Sequence, residues 1–259
     1  MSAIQYSRVG GVVSADIAVP DHDREVQFYA RVLTTGETPL WREDLMNNQG
    51  LPIIGLGAAS PDYGDLPLQW MPHIQVADIA ASVRRALDLG GTELMHGKDE
   101  DGNSQWAILS DPNGAAFGLI PVIAAEALPP MTDEVASAGR IAWLDLTVEN
   151  ADATRDFYRD VVGWSVAPVE MTDGDTAYAD YSMLGGDGAG AAGVCHARGM
   201  NQGLPPVWLI YLPVGDLAES LKRVRAHGGQ VIKQAATDSA HAYAVIQDPV
   251  GARLALVPG

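Results

Sequence analysis

The sequence predicts an α+β fold made of four βαβββ modules, and two observations carry that prediction. The first is repetition: Asp16-Ile-Ala-Val-Pro-Asp21, followed by Phe28-Tyr29, returns 129 residues later as Asp145-Leu-Thr-Val-Glu-Asn150, followed by Phe157-Tyr158. A second pair interleaves with it, since Trp70 through Val76-Ala-Asp-Ile and Gly90-Gly91 recur 138 residues on as Trp208 through Val214-Gly-Asp-Leu and Gly228-Gly229. A repeat at fixed spacing identifies the supersecondary unit directly. The second observation is a change of hydrophobic period that runs in the same order in every module.

Each module opens with an apolar or alternating stretch ending in Val, which reads as a strand: Val12 to Val19, Leu68 to Val76, Ile141 to Val148 and Val207 to Val214. Two residues past that Val stands Asp21, Asp78, Asn150 or Asp216, placed to cap a helix by accepting from its first free amides. Helical spacing follows: Val26, Tyr29, Leu33; Ile79, Val83, Ala86; Phe157, Val161; Leu217, Leu221, Val224. The helices are predicted to close at Gly36, Gly90-Gly91, Gly163 and Gly228-Gly229, where glycine takes the left-handed conformation at low cost. Three short strands complete module two (Thr92 to His96, Trp106 to Ser110, Ala116 to Val122) and module four (Val231 to Gln234, Ala242 to Gln247, Arg253 to Val257). Module one is shorter, with 26 residues from Tyr29 to Gly55 against 35 from Tyr158 to Gly193, so one strand there is expected to be reduced or missing. The halves are 1–123 (modules 6–60 and 66–123) and 140–259 (modules 140–198 and 205–259), joined by a Pro-containing linker over 124–139.

Composition narrows the function. The chain of 259 residues carries a formal charge of −17, which disfavours nucleic acid and anionic membrane and leaves a small molecule or a protein as partner, a homodimer among the options. No apolar run reaches the roughly 20 residues of a membrane span, and no basic-then-apolar leader is visible, so a cytoplasmic location is expected. A single cysteine, Cys195, excludes an internal disulfide and fits a reducing compartment.

The strand ending Val-x-Asp, the helix with Phe-Tyr, the Gly-Gly pair and the turns Ser110-Asp-Pro-Asn-Gly114 and Gln247-Asp-Pro-Val-Gly251 resemble the glyoxalase/bleomycin-resistance/dioxygenase superfamily, also called vicinal oxygen chelate. The resemblance spans essentially the whole chain and is nearest to two-domain, four-module bacterial members. It implies that paired modules curl their mixed sheets around a space holding a divalent metal or an organic ligand. The superfamily includes lyases, isomerases, dioxygenases and metal-free binding proteins, so the fold does not fix the function.

Metal-using relatives place His or Gln five residues before the Val that ends the first strand, and Glu seven residues after the Asp of Asp-Pro-x-Gly. Here the first position holds Ser14, Met71, Trp143 and Leu209, and the second Gly118 and Ala255. None is a usual ligand for a divalent cation, so no cofactor is predicted and glyoxalase I activity is disfavoured. Residues two apart on a strand face the same side, so the position three before Val shares that face: Asp16, His73, Asp145 and Tyr211. Any one of these could be a buried polar group satisfied by backbone; four together indicate a binding cleft. His73, Asp145 and Tyr211 are the candidate catalytic or polar-contact residues, and Asp16, Met71, Trp143, His196 and Leu209 the candidate ligand-binding set. If modules one and two pair, His73 shares a cleft with Asp16; if two and three pair, it meets Asp145, with His196 approaching from the last strand of module three to make an atypical metal site.

Trp143 stands where relatives have a metal ligand, and its ring offers a stacking surface to a planar ligand. Trp70 with Trp208, and Trp106 with Tyr243, occupy matching repeat positions and read as core packing, as do Phe28-Tyr29 and Phe157-Tyr158. The glycine-rich run 185–193 opens no helix and reads as a hairpin turn, and Cys195 as a small buried hydrophobe. Three functions are consistent with these residues: a metal-independent binder of a small, partly apolar molecule; a lyase, isomerase or dioxygenase with a divalent metal at an atypical site; and a regulatory protein with vestigial clefts.

Overall fold

The strand, helix and glycine pattern predicted from sequence recurs in a computed structural model, which describes residues 7–33, 53–64, 66–127, 140–235 and 242–259. Module one contributes β1 (Val12–Val19), α1 (His22–Val32) and β2 (Ile54–Ala58). Module two contributes β3 (Met71–Val76), α2 (Ile79–Asp88), β4 (Thr92–Lys98), β5 (Ser104–Ser110) and β6 (Ala116–Pro121). Module three contributes β7 (Trp143–Val148), α3 (Ala151–Val162), β8 (Ser165–Asp173), β9 (Thr176–Leu184) and β10 (Gly190–His196). Module four contributes β11 (Trp208–Val214), α4 (Leu217–Ala226), β12 (Gln230–Gln234), β13 (Ala244–Gln247) and β14 (Arg253–Pro258). Gly36, Trp41, His241, most of the linker and the segment that shortens module one lie outside the described residues.

The helix boundaries follow their local chemistry. Asp78, Asn150 and Asp216 accept from the amides of Ala81, Ala153 and Glu219 at 2.9, 3.1 and 2.9 Å. Asp21 holds the same position without a side-chain cap bond. Gly163 closes α3 in the left-handed region at φ 89°, and Gly90 and Gly228 take φ 88° and 90° after α2 and α4. The opening strands of modules two and three begin two to three residues later than the apolar patterns at Leu68 and Ile141 suggest, since hydrophobicity marks burial and not ladder pairing.

The three modules with all their strands described repeat one wiring. The first strand lies parallel to the last, which pairs antiparallel with the third, which pairs antiparallel with the second: β3-β6-β5-β4, β7-β10-β9-β8 and β11-β14-β13-β12. In module one, β1 and β2 are parallel.

Two compact units result. One holds residues 71–127 and 143–208 with the N-terminal segment, and so contains modules two and three; the other holds 13–70, 128–142 and 209–259, and so contains modules one and four. The sequence halves are therefore repeats along the chain, and each compact unit draws one module from each half.

Both units are closed by the same lock, in which an odd module's Phe-Tyr helix packs on an even module's glycine pair and Asp-Pro turn. In the first, the Tyr158 hydroxyl lies 3.4 Å from Asp111 Oδ2, Trp208 Nε1 donates to that hydroxyl at 2.9 Å, and Phe157 packs on Gly91. In the second, the Tyr29 hydroxyl donates to Asp248 Oδ2 at 2.7 Å, Phe28 packs on Gly229, and Trp70 meets Tyr29 edge-on at 5.5 Å. Each aspartate's Oδ1 is taken by its own turn, from the amides of Asn113 and Ala115 or of Val250, Gly251 and Ala252. Burial raises both aspartates, and it raises Tyr29 and Tyr158 well above an ordinary phenol. Phe28, Tyr29, Phe157, Tyr158, Trp70 and Trp208 are core residues, as their repeat positions indicate.

Candidate functional site

Alternation along the opening strands separates two faces. On β3, Ile74 and Val76 are buried among the core residues, and on β7 so are Leu144, Leu146 and Val148. The other face carries Met71 and His73, or Trp143 and Asp145, of which His73, Trp143 and Asp145 keep partial exposure. On β1 that face carries Ser14 and Asp16, and on β11 the buried Leu209 and Tyr211. The positions five and three before Val thus share one face in every module. Modules two and three form one unit, so His73 and Asp145 belong together in it, while Asp16 and Tyr211 belong to the other.

Strand register adds a feature that reading single positions did not reveal. His73 lies opposite Gly118, Asp145 opposite Gly193, Asp16 opposite Gly55 and Tyr211 opposite Ala255. At the three glycines the polar side chain leans across its small neighbour. A Cβ on Gly118 would sit 2.7 Å from the His73 ring, and a Cβ on Gly193 or Gly55 would overlap the carboxylate of Asp145 or Asp16. Gly118 and Ala255 are the positions at which the family resemblance implies a metal-binding glutamate, and at Gly118 the His73 ring across the ladder fills the space a side chain would need.

A test of fit for a divalent metal therefore fails at these positions. Met71, Leu209 and the glycines supply no donor, and a glutamate side chain at 118 would have to displace His73. Among the described residues no group of three or more His, Cys, Asp or Glu side chains is placed to hold a metal ion.

Trp143 is fixed by two contacts. Its Nε1 donates to Asp145 Oδ1 at 2.8 Å, and the far edge of its indole lies over Gly190, where a Cβ would come within 3.1 Å of the ring. The glycine-rich run forms the expected hairpin turn and also clears a bed for the indole along β10. Trp106 behaves similarly, lying over Gly97 across the β4–β5 ladder. At 38% exposure Trp106 is not the core residue its repeat position suggests, and its counterpart Tyr243 is half-buried with its ring 5.8 Å from Tyr211. Both sit on the face of the polar row, because Ile108 pairs with Gly118 and Val245 with Ala255, each two residues from the aromatic.

His196 is not on that face. It stands three residues beyond Gly193 on β10, so its side chain leaves the opposite side, toward α3. There Nδ1 lies 3.2 Å from Asp180 Oδ1 and Nε2 3.8 Å from Asp152 Oδ2, while Asp180 also takes the His196 amide at 2.7 Å. The sequence expectation that His73 and His196 converge fails on strand parity. Cys195 is largely enclosed; burial, with Asp145 and Asp180 nearby, pushes its thiol far up and holds it protonated. No described helix is long and apolar enough to cross a membrane.

Comparison with known proteins agrees with this geometry. The pattern of the glyoxalase/bleomycin resistance protein/dioxygenase superfamily matches residues 140–256, and that of a glyoxalase-like domain matches residues 13–120. "Putative glyoxylase CFP32" of Mycobacterium tuberculosis is 30% identical over 191 residues, covering 72% of this chain and 68% of its own. "Anthracycline biosynthesis protein DnrV" of Streptomyces peucetius is 26% identical over 204 residues, covering 76% of this chain and 68% of its own. Among solved structures, the Mn(II)-bound glyoxalase from Novosphingobium aromaticivorans aligns over 96% of this chain and 82% of that one with TM-score 0.56 at 17% identity. Homoprotocatechuate 2,3-dioxygenase from B. fuscum aligns over 98% and 72% with TM-score 0.59 at 12% identity. At these identities the two structures establish the fold and nothing of the chemistry.

Proposed function

The chain belongs to the glyoxalase/bleomycin resistance/dioxygenase superfamily, and from that premise we propose that it binds a small, partly apolar organic molecule on the polar-row face of its sheets without the superfamily's standard divalent metal. The observation that carries this reading is the cross-strand pairing of His73, Asp145 and Asp16 with glycine, which at Gly118 puts the His73 ring in the place of the implied metal-binding acid. In the unit of modules two and three, Trp143 supplies a flat apolar surface oriented by Asp145, Met71 an apolar floor, and His73 a polar contact that holds or moves a proton. In the other unit Leu209 and Tyr211, with Asp16, supply the equivalent set. The similarity to DnrV, an anthracycline biosynthesis protein, supports a polycyclic aromatic ligand.

The test is titration of tryptophan fluorescence with planar aromatic compounds in metal-free buffer. Quenching that saturates, and that is lost in Trp143→Phe and weakened in Asp145→Asn, supports the proposal; binding that requires added Mn²⁺ or Fe²⁺ refutes it. The second reading, a metal-dependent lyase, isomerase or dioxygenase, draws on the Mn(II)-bound fold relative, but it needs donors other than a His73–His196 pair.

A further inference from the structure

Independently of the ligand cleft, a second constellation stands on the β4–β5 hairpin. His96 Nδ1 lies 3.1 Å from Glu93 Oε2, and His96 Nε2 lies 2.8 Å from the Ser104 hydroxyl oxygen. The imidazole is 9% exposed while the carboxylate is open at 39%. A carboxylate on Nδ1 holds the proton there and leaves Nε2 free to accept from a hydroxyl, which is the tautomer a serine nucleophile needs.

On a regular ladder these three groups would not meet. Residues 93 and 96 are three apart and would face opposite sides. A bulge between Glu93 and Met95 resets the count, so that Glu93 pairs with Leu109 and His96 with Ala107, two residues that share a face. A second bulge, beyond the Gly97–Trp106 pair, moves Ser104 into register with Lys98 and onto that same face. Two separate departures from regular pairing thus converge on one acid–base–hydroxyl line, and bulges that re-aim side chains recur beside active sites. Lys98, as Ser104's cross-strand partner, leaves the sheet beside it with Cβ about 5 Å away, so its flexible side chain has the length to bring a positive charge to the serine. Ser104 opens β5 beside the edge strand β4 and is partly exposed, with Asn103 and Gln105 on either side of it exposed.

We propose that Glu93, His96 and Ser104 form a nucleophilic triad that cleaves small activated carboxylic esters. The Ser104 oxygen attacks the carbonyl carbon as its proton passes to His96 Nε2. The carbon–oxygen bond to the alcohol then breaks and the alcohol leaves with that proton, giving acyl-Ser104. Water, deprotonated by the same nitrogen, releases the acid and restores the serine, so the balance is ester plus water to acid plus alcohol. Glu93 orients the ring and Lys98 offsets the negative charge on oxygen.

The experiment is labelling of the full chain with a fluorophosphonate reagent, read by peptide mass, alongside p-nitrophenyl acetate hydrolysis. The expected result is one adduct, on Ser104, with no labelling in Ser104→Ala and labelling slowed at least about 100-fold in His96→Gln. Absence of an adduct on Ser104 in the natural sequence, or equal labelling rates in His96→Gln, overturns the proposal. The first readout needs no variant and the ligand-cleft residues play no part in it, so its failure leaves the cleft reading untouched.

Discussion

Replacing Glu25 by Gln should make the unit of modules one and four markedly less sensitive to alkali. Glu25 projects from α1 into the lock that holds the two modules together, is 0% exposed, and faces the Asp248 carboxylate. Burial, then the nearby Asp248, pushes its carboxyl from 4.5 up to about 8, with Arg24 opposing and Asp21 adding slightly. The folded state therefore holds a proton that the unfolded chain releases between those two values. Folding stability attributable to this group is unaffected below pH 4.5, falls as pH rises through the window, and is flat again above about 8. The interval of about 3.5 pH units, at about 1.4 kcal/mol each, sets a ceiling of about 5 kcal/mol on the penalty. The assay is urea unfolding of the natural sequence and Glu25→Gln at pH 5, 7 and 9. Glu25 and Asp248 shift one another, so the difference between the two proteins reports the loss of the Glu25 carboxyl together with its effect on Asp248. The variant should gain stability over the natural protein by several kcal/mol between pH 5 and pH 9. Parallel curves across that range would refute the reasoning.

The packing sets further outcomes for two tyrosines, two glycines and the cysteine. Tyr158→Phe strands the indole N–H of Trp208, which is fully buried, and should cost about 1–3 kcal/mol in denaturant unfolding. Tyr29→Phe leaves Oδ2 of the buried Asp248 without its hydroxyl donor, the three turn amides all being on Oδ1, and should cost a similar amount. Gly193→Ala drives a methyl into the Asp145 carboxylate, so we expect about 1–3 kcal/mol of destabilisation together with a changed Trp143 emission. Gly114→Ala, where φ is 84° but nothing lies within 4 Å, should pay backbone strain of about 1–2 kcal/mol and leave the emission unchanged. The Cys195 thiol should resist a disulfide reagent at pH 8 in the folded protein and react once urea exposes it.

The fold was legible because its signals are local and repeated. An Asp or Asn two residues past Val caps a helix through its own oxygen, and Gly163 closes one through its own backbone freedom, so sequence position alone locates both. The shared face of His73 with Met71, or Asp145 with Trp143, followed from the two-residue period of a strand. What escaped was set by partners far along the chain. The role of Gly118 depends on register with β3, and that of Gly190 on an indole 47 residues earlier. Trp106 was misplaced because repeat position stood in for burial, although the glycine opposite it leaves its ring on the surface. His196 was assigned to the cleft without counting its parity from Gly193. The alignment of Glu93, His96 and Ser104 rests on two bulges that no periodicity announces.

The central claim is that the ligand face works without the superfamily's standard metal, His73 filling the space at Gly118 where the implied glutamate would stand, and metal content tests it most directly. The purified protein would be incubated with Ni²⁺, Zn²⁺, Mn²⁺ and Fe²⁺, desalted and analysed for metal, alongside His73→Ala. The account predicts far less than one equivalent of any metal in both proteins. One equivalent retained by the natural sequence and lost in His73→Ala would contradict it.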